Sequence, residues 1–478
     1  MCNRHVLFIS AGMLRPKKTD HPLARLHLYL NYGLLGLASS LNDKGYDVRL
    51  THGQFIPPSE VVRSLTRRGW LNTEFPIFLS IPSSYAIAWS KEFCRLVKEE
   101  VHDLKIVVGG RWVIGTDGPW IKSLIPEIDL VVYGTAERRV EDLLYQDRWS
   151  SLSFVSSSST SVPEAFINNL PDLNYQILDN CDSYQPSIEV SRGCGMGCSF
   201  CAEKDVALTQ IESPNRIISK IIKCQEQYNS VDIRPYFEAS YFRPSHKWAT
   251  EFATLYRRHD LDIKWRCESR VDALSPGTLE ALAGAGLKII DLGLESASSR
   301  QLRAMNKTTS PGTYLKRAST FLNECRKVGV WVKVNILMYP GEGLDSLGET
   351  REWLSTHAEC IKGLSVGPLV IYRFDKSRKY LDSLTALGAA LVGGDSLDKE
   401  GFANLHLSRA IDHETAEHLS TEICQDFMTD EDYFDLKGFS YLPRGYSFKQ
   451  FQEVLSLVNH STLPFKISLP FTTVLPKQ

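Results

Sequence analysis

The 478-residue sequence predicts an α/β protein in three parts: a doubly wound parallel sheet, a partial barrel of six strand–helix repeats, and a small, mainly helical C-terminal region. Three observations predict it. Strand-like and helix-like runs alternate across the first 150 residues, with Gly or Ser where strands end. After a serine-rich break the alternation resumes through six more repeats. Beyond about residue 400 it gives way to acidic helical sequence and a proline-punctuated tail.

In order, "HVLFIS" (His5–Ser10) reads as a strand. Leu23, Leu26, Leu30, Leu34, Leu37 and Leu41 recur at helical spacing and predict one continuous helix. "GYDVRL" and "FPIFLSIPSS" read as strands, "YAIAWSKEFCRLVKEEV" as a helix, "LKIVVGG" and "DLVVYG" as strands, and "AERRVEDLLYQ" as a closing helix. Alternation of this kind builds a Rossmann-like domain, here residues 1–150, whose ligands bind outside the strand carboxyl ends. The loops concerned are those around Ser83 and Ser84 and around Gly109 and Gly110. Residues 151–183 read as a connector: a serine-rich exposed stretch, then "NNLPDLNYQILD".

Residues 184–400 carry six strand candidates: "SIEVS", "IRPYFEAS", "IKWRCES", "LKIIDLGL", "VWVKVNILM" and "LSVGPLVIYRF". Helices lie between them, and one has Ser275 as N-cap with Pro276 in first position. The pattern predicts a partial TIM-type (βα)6 barrel with its working loops at the strand carboxyl ends. Residues 401–478 include the helical "AIDHETAEHLSTEICQDF", and their place in the chain suggests a cover over the barrel mouth.

Composition narrows the function classes. Apolar residues make up 43%, charged residues 23%, and the formal net charge is −2. That balance argues against a broad polybasic surface, so no nucleic-acid partner is expected. No run reaches the roughly 18 apolar residues of a membrane span, and the opening residues read as a strand rather than a leader. Eleven cysteines, an odd number in a long chain, do not make a disulfide framework. The expected compartment is the reducing cytoplasm, where thiolates stay available to metal.

The sharpest feature is "SRGCGMGCSFC" (Ser191–Cys201), which gathers Cys194, Cys198 and Cys201 in a C-x3-C-x2-C pattern and supplies no fourth ligand. It follows the first barrel strand, where active-site loops belong. Gly193, Gly195 and Gly197 let the backbone curl tightly. A structural zinc site, the alternative, requires four ligands, and the nearest further thiols are Cys181 and Cys224, with no His before His246. An iron–sulfur cluster fits three thiolates better and leaves one iron open.

"CGMGCSFC", with Phe200 before the last Cys, resembles the cluster loop of the radical S-adenosylmethionine (radical SAM) superfamily, as does the preceding "SRG". "RVDALSPGTLEALAGAGLKIIDLGLESASSRQLRAMNK" (Arg270–Lys307) and "ILMYPGE" (Ile336–Glu342) are similar to later stretches of the same family, in the same order. The resemblance implies a [4Fe–4S] cluster on Cys194, Cys198 and Cys201, with SAM chelating the fourth iron and being cleaved to a 5′-deoxyadenosyl radical. It further implies SAM contacts from Glu295 and Ser296, from Glu238 in "YFEAS", and from Arg270 as a two-pronged partner of the methionine carboxylate. The family's usual Gly-Gly-Glu is absent before Glu238, and Ser296 could instead cap the following helix. Tyr339, Pro340 and Gly341 would shape a wall of the site. His52, at a strand end, reads as a lone histidine rather than a ligand.

A doubly wound domain ahead of such a barrel resembles the cobalamin-dependent subgroup. The segments that carry this are "GLLGLASSLNDKGYDVRL", "LSIPSSYAIAWSKEFCRLVKEE", "IVVGGRW", "DLVVYGTAE" and "LPDLNY". The resemblance implies cobalamin approached by Ser83, Ser84, Gly109 and Gly110. The Asp-x-His-x-x-Gly motif of methyl-carrying cobalamin proteins is missing after the first strand, where the chain reads "SAGMLRPKK". The function so implied is cobalamin-dependent methyl transfer to an unactivated carbon of a small-molecule or peptide substrate, with a flavodoxin- or ferredoxin-type reductant. Radical cyclisation, rearrangement or oxidation without methyl transfer, and a non-catalytic cobalamin or redox sensor, are the alternatives.

Overall fold

The computed structural model describes residues 4–16, 22–110, 113, 118–149, 172–373 and 378–468, so the serine-rich part of the connector lies outside the described residues. Short, largely apolar runs form the first sheet, with a polar face only on the edge strand β2: β1 (His5–Ser10), β2 (Asp47–His52), β3 (Ile77–Ser80), β4 (Ile106–Gly109) and β5 (Leu130–Val131). All neighbours are parallel, in the order β2-β1-β3-β4-β5. This is a doubly wound order whose switch point falls at β1 and β3. Helices α1 (Tyr32–Asn42), α2 (Pro58–Arg67), α3 (Ile87–Glu100) and α4 (Gly118–Leu124) connect the strands.

Two sequence expectations for this domain are corrected, and one helix is added. The leucine-patterned helix is broken: Pro22–Leu26 is a 3-10 turn, and α1 starts only at Tyr32, where the Asn31 side chain accepts from the Leu34 N–H at 3.1 Å. The leucines serve two burials rather than one. Leu34, Leu35 and Leu41 pack on the first sheet, whereas Leu23 packs on residues of the C-terminal region. "AERRVEDLLYQ" forms the 3-10 turns Asp142–Leu144 and Gln146–Arg148, parted by an extended Tyr145, although Val140, Leu143 and Leu144 are buried as a helix would require. Helix α2 was unforeseen, yet Pro58 in its first turn and the buried stripe Val61, Val62 and Leu65 are a helix signature.

The second sheet takes up all six predicted strands: β6 (Ser187–Glu189), β7 (Tyr236–Glu238), β8 (Trp265–Ser269), β9 (Leu287–Glu295), β10 (Trp331–Met338) and β11 (Gly363–Pro368). They are parallel and in chain order, the arrangement of a partial barrel. Between them run α5 (Pro214–Tyr228), α6 (His246–Arg258), α7 (Pro276–Ala283), α8 (Ser299–Ala304), α9 (Pro311–Lys327) and α10 (Leu344–Thr356). Ser275 caps α7 by accepting from the Thr278 N–H, as the sequence predicts. Outward residues pack beneath the helices, as where Phe237 stacks on Trp265 at 4.2 Å.

Alternation turns a polar set the other way. Arg266 of β8 is fully buried and grips Asp291 of β9 with Nε at 2.5 Å and Nη2 at 2.7 Å. Lys333 of β10 reaches the same carboxylate at 2.9 Å. The two cations hold Asp291 well below the usual carboxylate range although burial alone would raise it. The remaining guanidinium nitrogen donates to the Leu436 carbonyl at 2.6 Å.

After β11 come β12 (Ile371–Tyr372), α11 (Arg378–Ala386), β13 (Ala390–Leu391), α12 (Ser396–Lys399), β14 (Phe402–Ala403) and β15 (Leu405–His406), then α13 (His413–Phe427), α14 (Asp430–Ser440) and α15 (Phe448–Leu455). The expectation that residues 401–478 cover the barrel mouth is corrected for their helices, although Leu407 does lie beyond the carboxyl end of β10, where its carbonyl accepts from the Gly341 N–H at 2.8 Å. Helix α13 lies along β11, and α14 packs at the strand amino ends, with Leu436 against Gly363 and its core shared with Ile289. The segment from β12 to β15 reaches the first domain instead: Phe402 packs on Tyr85 at 4.4 Å, and Trp120 Nε1 donates to the Asp398 carbonyl at 2.9 Å.

Asp291→Asn should therefore cost about 3–5 kcal/mol, because it leaves Arg266 buried without its counter-charge. Urea unfolding checks this, and replacing Arg266, Asp291 and Lys333 together by Met, Leu and Met, which leaves no buried charge unpaired, should recover most of the loss. A single-variant cost below 1 kcal/mol would show that the pair contributes little.

Candidate functional site

The three clustered cysteines lie on the loop that leaves β6. Gly193 has φ +74°, and a Cβ there would stand 2.2 Å from the Ala207 carbonyl oxygen, so only glycine lets the two arms of the loop close on each other. Backbone bonds from Cys194 N–H to Val206 O at 2.9 Å and from Ser199 N–H to Met305 O at 2.8 Å pin the loop, and Asn306 Nδ2 donates to Gly197 O at 2.8 Å. Arg192 anchors its stem. It grips Glu189 of β6 at 2.5 and 2.9 Å and reaches Glu137 of the first domain at 2.7 Å.

Cys198 is buried, and Cys194 and Cys201 are half-buried; none is in a disulfide. Burial pushes the Cys194 and Cys201 thiols up, and the neighbouring thiols add to the rise. Arg270 and Lys307 oppose it at Cys194. The three sulfurs thus feel one another, whereas among the described residues no three His, Cys, Asp or Glu side chains close on a single-ion site. A donor set of three interacting thiolates on a glycine-hinged loop suits an iron–sulfur cluster.

The structure brings Glu238, Arg270 and Glu295 to strand carboxyl ends around this loop. Glu238 ends β7 and accepts from Ser187 Oγ at 2.7 Å, while its carbonyl receives the Val190 N–H at 3.0 Å. Arg270 follows β8, is 6% exposed, and donates to Cys198 Sγ at 3.4 Å. Glu295 ends β9 with φ +71°, beside a register shift opposite Asn335 and Ile336. Left-handed backbone is costly for Glu and is found where a side chain must be re-aimed. Its Oε1 accepts from Lys307 Nζ at 3.0 Å, and the pair lies over Gly293, where a Cβ would come within 2.7 Å of that oxygen. Ser296 is not with them: its hydroxyl accepts from the Ser298 N–H at 3.0 Å and meets Thr350 of α10 at 3.2 Å, which closes a turn ahead of α8 and does not cap it, since the N-cap residue is Ser298.

Tyr339 is buried, and the Gly341 N–H donates to the Leu407 carbonyl at 2.8 Å, so this turn anchors the segment that follows β15. Lys307 is a residue that sequence reasoning passed over; it closes the quoted "AMNK", but nothing in its type marked it out.

Loops at the carboxyl ends of the first sheet meet those of the second. Ser83 and Ser84 follow β3, and Ser84 Oγ is buried with no hydrogen-bond partner among the described residues. Gly109 ends β4. Gly110 has φ +112°, and a Cβ there would lie 2.7 Å from Ser80 Oγ, so the backbone passes flush against the strand ends. The orphaned hydroxyl and the glycine cradle leave a polar contact and backbone access for a ligand at this edge. Asn31 ties the neighbouring strand ends together, donating from Nδ2 to Ser10 Oγ at 3.0 Å and to Ser80 Oγ at 3.1 Å. Capping preference alone would have singled it out. His52 accepts the Asn31 N–H through Nε2 at 3.0 Å, and burial lowers its pKa to about 3, so it stays neutral and held in place.

Residues 188–354 match the family described as the Radical SAM superfamily. That stretch is a radical SAM domain. A relative described as an uncharacterized methyltransferase of Pyrococcus horikoshii is 25% identical over 237 residues, 45% of this chain and 51% of its own. The chain thus spans about half the length of that relative. Two solved structures share the fold. The cobalamin-dependent SAM radical enzyme OxsB, with aqua-cobalamin and SAM bound, has a TM-score of 0.64 at 15% identity, covering 90% of this chain and 67% of that one. The radical SAM methyltransferase TsrM of Kitasatospora setae, with cobalamin and a [4Fe–4S] cluster bound, has a TM-score of 0.60 at 14% identity, covering 88% of each. Among the described residues no helix is long and apolar enough to cross a membrane.

The radical SAM domain also holds a carboxyl that titrates near neutrality. Glu342 is 3% exposed, accepts from Ser346 Oγ, and burial pushes its pKa up from 4.5 to about 7. Between those values the unfolded chain has lost a proton that the folded chain keeps, so stability falls as pH rises through the window and levels off above 7. The cost at pH 8 is on the order of 3 kcal/mol. Glu342→Gln should remove it, giving a variant more stable than the parent at pH 8 and a flatter stability curve between pH 4.5 and 7. Denaturation at a series of pH values checks this; parallel curves for the two proteins would refute it.

Proposed function

We propose that the chain is a radical SAM enzyme that transfers a methyl group with the help of cobalamin to an unactivated carbon of a small-molecule or peptide substrate. Cys194, Cys198 and Cys201 would hold the [4Fe–4S] cluster, and the crevice at Ser83, Ser84, Gly109 and Gly110 would take the corrin. Bound there, the cluster supplies the electron for reductive cleavage of SAM, and the corrin supplies the methyl group.

The observation that carries this reading is the incomplete thiol set on the loop after β6, in a domain of the radical SAM family and beside a doubly wound sheet. Two solved proteins of similar fold contain cobalamin, and a curated relative is described as a methyltransferase.

The chain's own residues divide the work. The carboxylates of Glu238 and Glu295 face donors, the first suited to an ammonium group and the second, steadied by Lys307, to ribose hydroxyls. Ser296 secures the turn that sets Glu295 in place. Arg192 holds the cysteine loop to both sheets, so the crevice and the loop keep a fixed separation. The segment from β12 to β15 docks on the first domain at Tyr85 and Trp120, where it would help to exclude water from the carbon to be attacked. A low-potential donor of the flavodoxin or ferredoxin type in the reducing cytoplasm would provide the electron, since cluster potentials extend down to roughly −700 mV.

Anaerobic reconstitution with iron, sulfide and hydroxocobalamin, followed by reduction with SAM present, should yield 5′-deoxyadenosine from a protein that retains corrinoid. Replacing Cys194, Cys198 and Cys201 together by Ala should abolish cluster absorbance and cleavage. If the triple variant still splits SAM, the cysteines are wrongly assigned; if the parent cleaves SAM but retains no corrinoid, the chemistry is radical without methyl transfer.

A further inference from the structure

We propose that Arg270 is a positioning residue for the cluster, donating a hydrogen bond to the Cys198 sulfur and thereby raising the cluster's reduction potential; this rests on the cluster assignment made above. A two-pronged grip on a carboxylate, the role expected from sequence, needs two nitrogens on one edge of the guanidinium. Here each nitrogen already has a protein partner. Nη1 donates to Cys198 Sγ at 3.4 Å, Nη2 to the Lys307 carbonyl at 3.3 Å, and Nε to Asp272 Oδ1 at 3.3 Å. The side chain is 6% exposed, so solvent does not compete for these bonds.

The three partners fix the plane of the guanidinium, and the plane fixes which sulfur it meets. Lys307, whose carbonyl Arg270 holds, reaches Glu295 with its ammonium group at 3.0 Å. Cys198, Arg270, Lys307 and Glu295 therefore form one connected line from a cluster sulfur to the left-handed carboxylate at the end of β9. Reducing an iron–sulfur cluster adds negative charge that is shared by its sulfurs. Hydrogen bonds to those sulfurs favour the reduced form and are among the protein's means of setting the potential. In a half-buried loop such a charged donor is weakly screened.

The test uses the reconstituted full chain. In Arg270→Gln the reduced-to-oxidised cluster ratio at a fixed solution potential should fall at least tenfold, which is about 59 mV for a one-electron couple, in an EPR-monitored redox titration. Arg270→Lys, which keeps the charge, should recover part of the shift. SAM affinity, read by the change it causes in the reduced-cluster EPR signal, should stay within about twofold of the parent in both variants. Unchanged potential with SAM affinity reduced tenfold would overturn the proposal in favour of carboxylate binding, and no change in either would overturn it outright. Should either variant fail to load a cluster, the parent labelled with 15N-arginine decides. Pulsed EPR of its reduced cluster should show coupling to one arginine nitrogen, and its absence sinks the proposal. A parent that loads no cluster would instead count against the cysteine assignment.

Discussion

Three thiols gathered within eight residues repel one another as soon as they ionise, and much of the surrounding structure answers that repulsion. Burial raises the ionisation cost of Cys194 and Cys201, and the neighbouring thiols, Cys198 at the first and Cys194 and Cys198 at the second, add to it. Against this stand Arg270 and Lys307, both buried, approaching the loop from the end of β8 and from the turn after α8. Their own charges are moderated by Asp272 and Glu295, so the pocket carries ordered pairs instead of a bare excess of either sign. Glycine at position 193 is what lets the loop close under that strain without giving up its backbone hydrogen bonds.

The same loop joins the two sheets. Arg192, next to the cysteines, shares its guanidinium between Glu189 at its foot and Glu137 across the boundary. Beneath it the hydrophobic core runs without a break from Phe8 and Leu35 of the first domain through Tyr175 and Leu178 to Ile188 of the second. Asp179 extends the contact, accepting from Thr51 at 2.7 Å and from Arg68 at 3.0 Å. An interface that is both apolar in its interior and ion-paired at its edge resists hinge motion, because sliding would expose one and unpair the other.

What could be read in the sequence followed from how local each signal is. All six strands of the second sheet were legible because runs such as "VWVKVNILM" are apolar on the face that the helices cover, and Ser275-Pro276 marks a helix start by chemistry confined to two residues. The cysteine loop was legible because its spacing is itself the signal. The leucine pattern from Leu23 to Leu41 misled because periodicity records that residues are buried and not against what: Leu23 and Leu34 answer to different cores. Lys307 was invisible for a related reason. Its importance lies in meeting Glu295 across a left-handed bulge, a geometry that appears only once β9 and α8 are packed.

The chain's early segment has a late partner. His27 bonds Tyr433 at 3.0 Å across a separation of 406 residues, and Leu28 and Leu23 join the same assembly. During synthesis Leu23, His27 and Leu28 therefore lack these partners until Tyr433 and Tyr441 have been made. The entropic cost of closing a loop grows only slowly with its length, so the order of synthesis separates these partners more than the distance along the chain does. The packing around Leu23 and His27 is accordingly completed by helices made long after the first sheet.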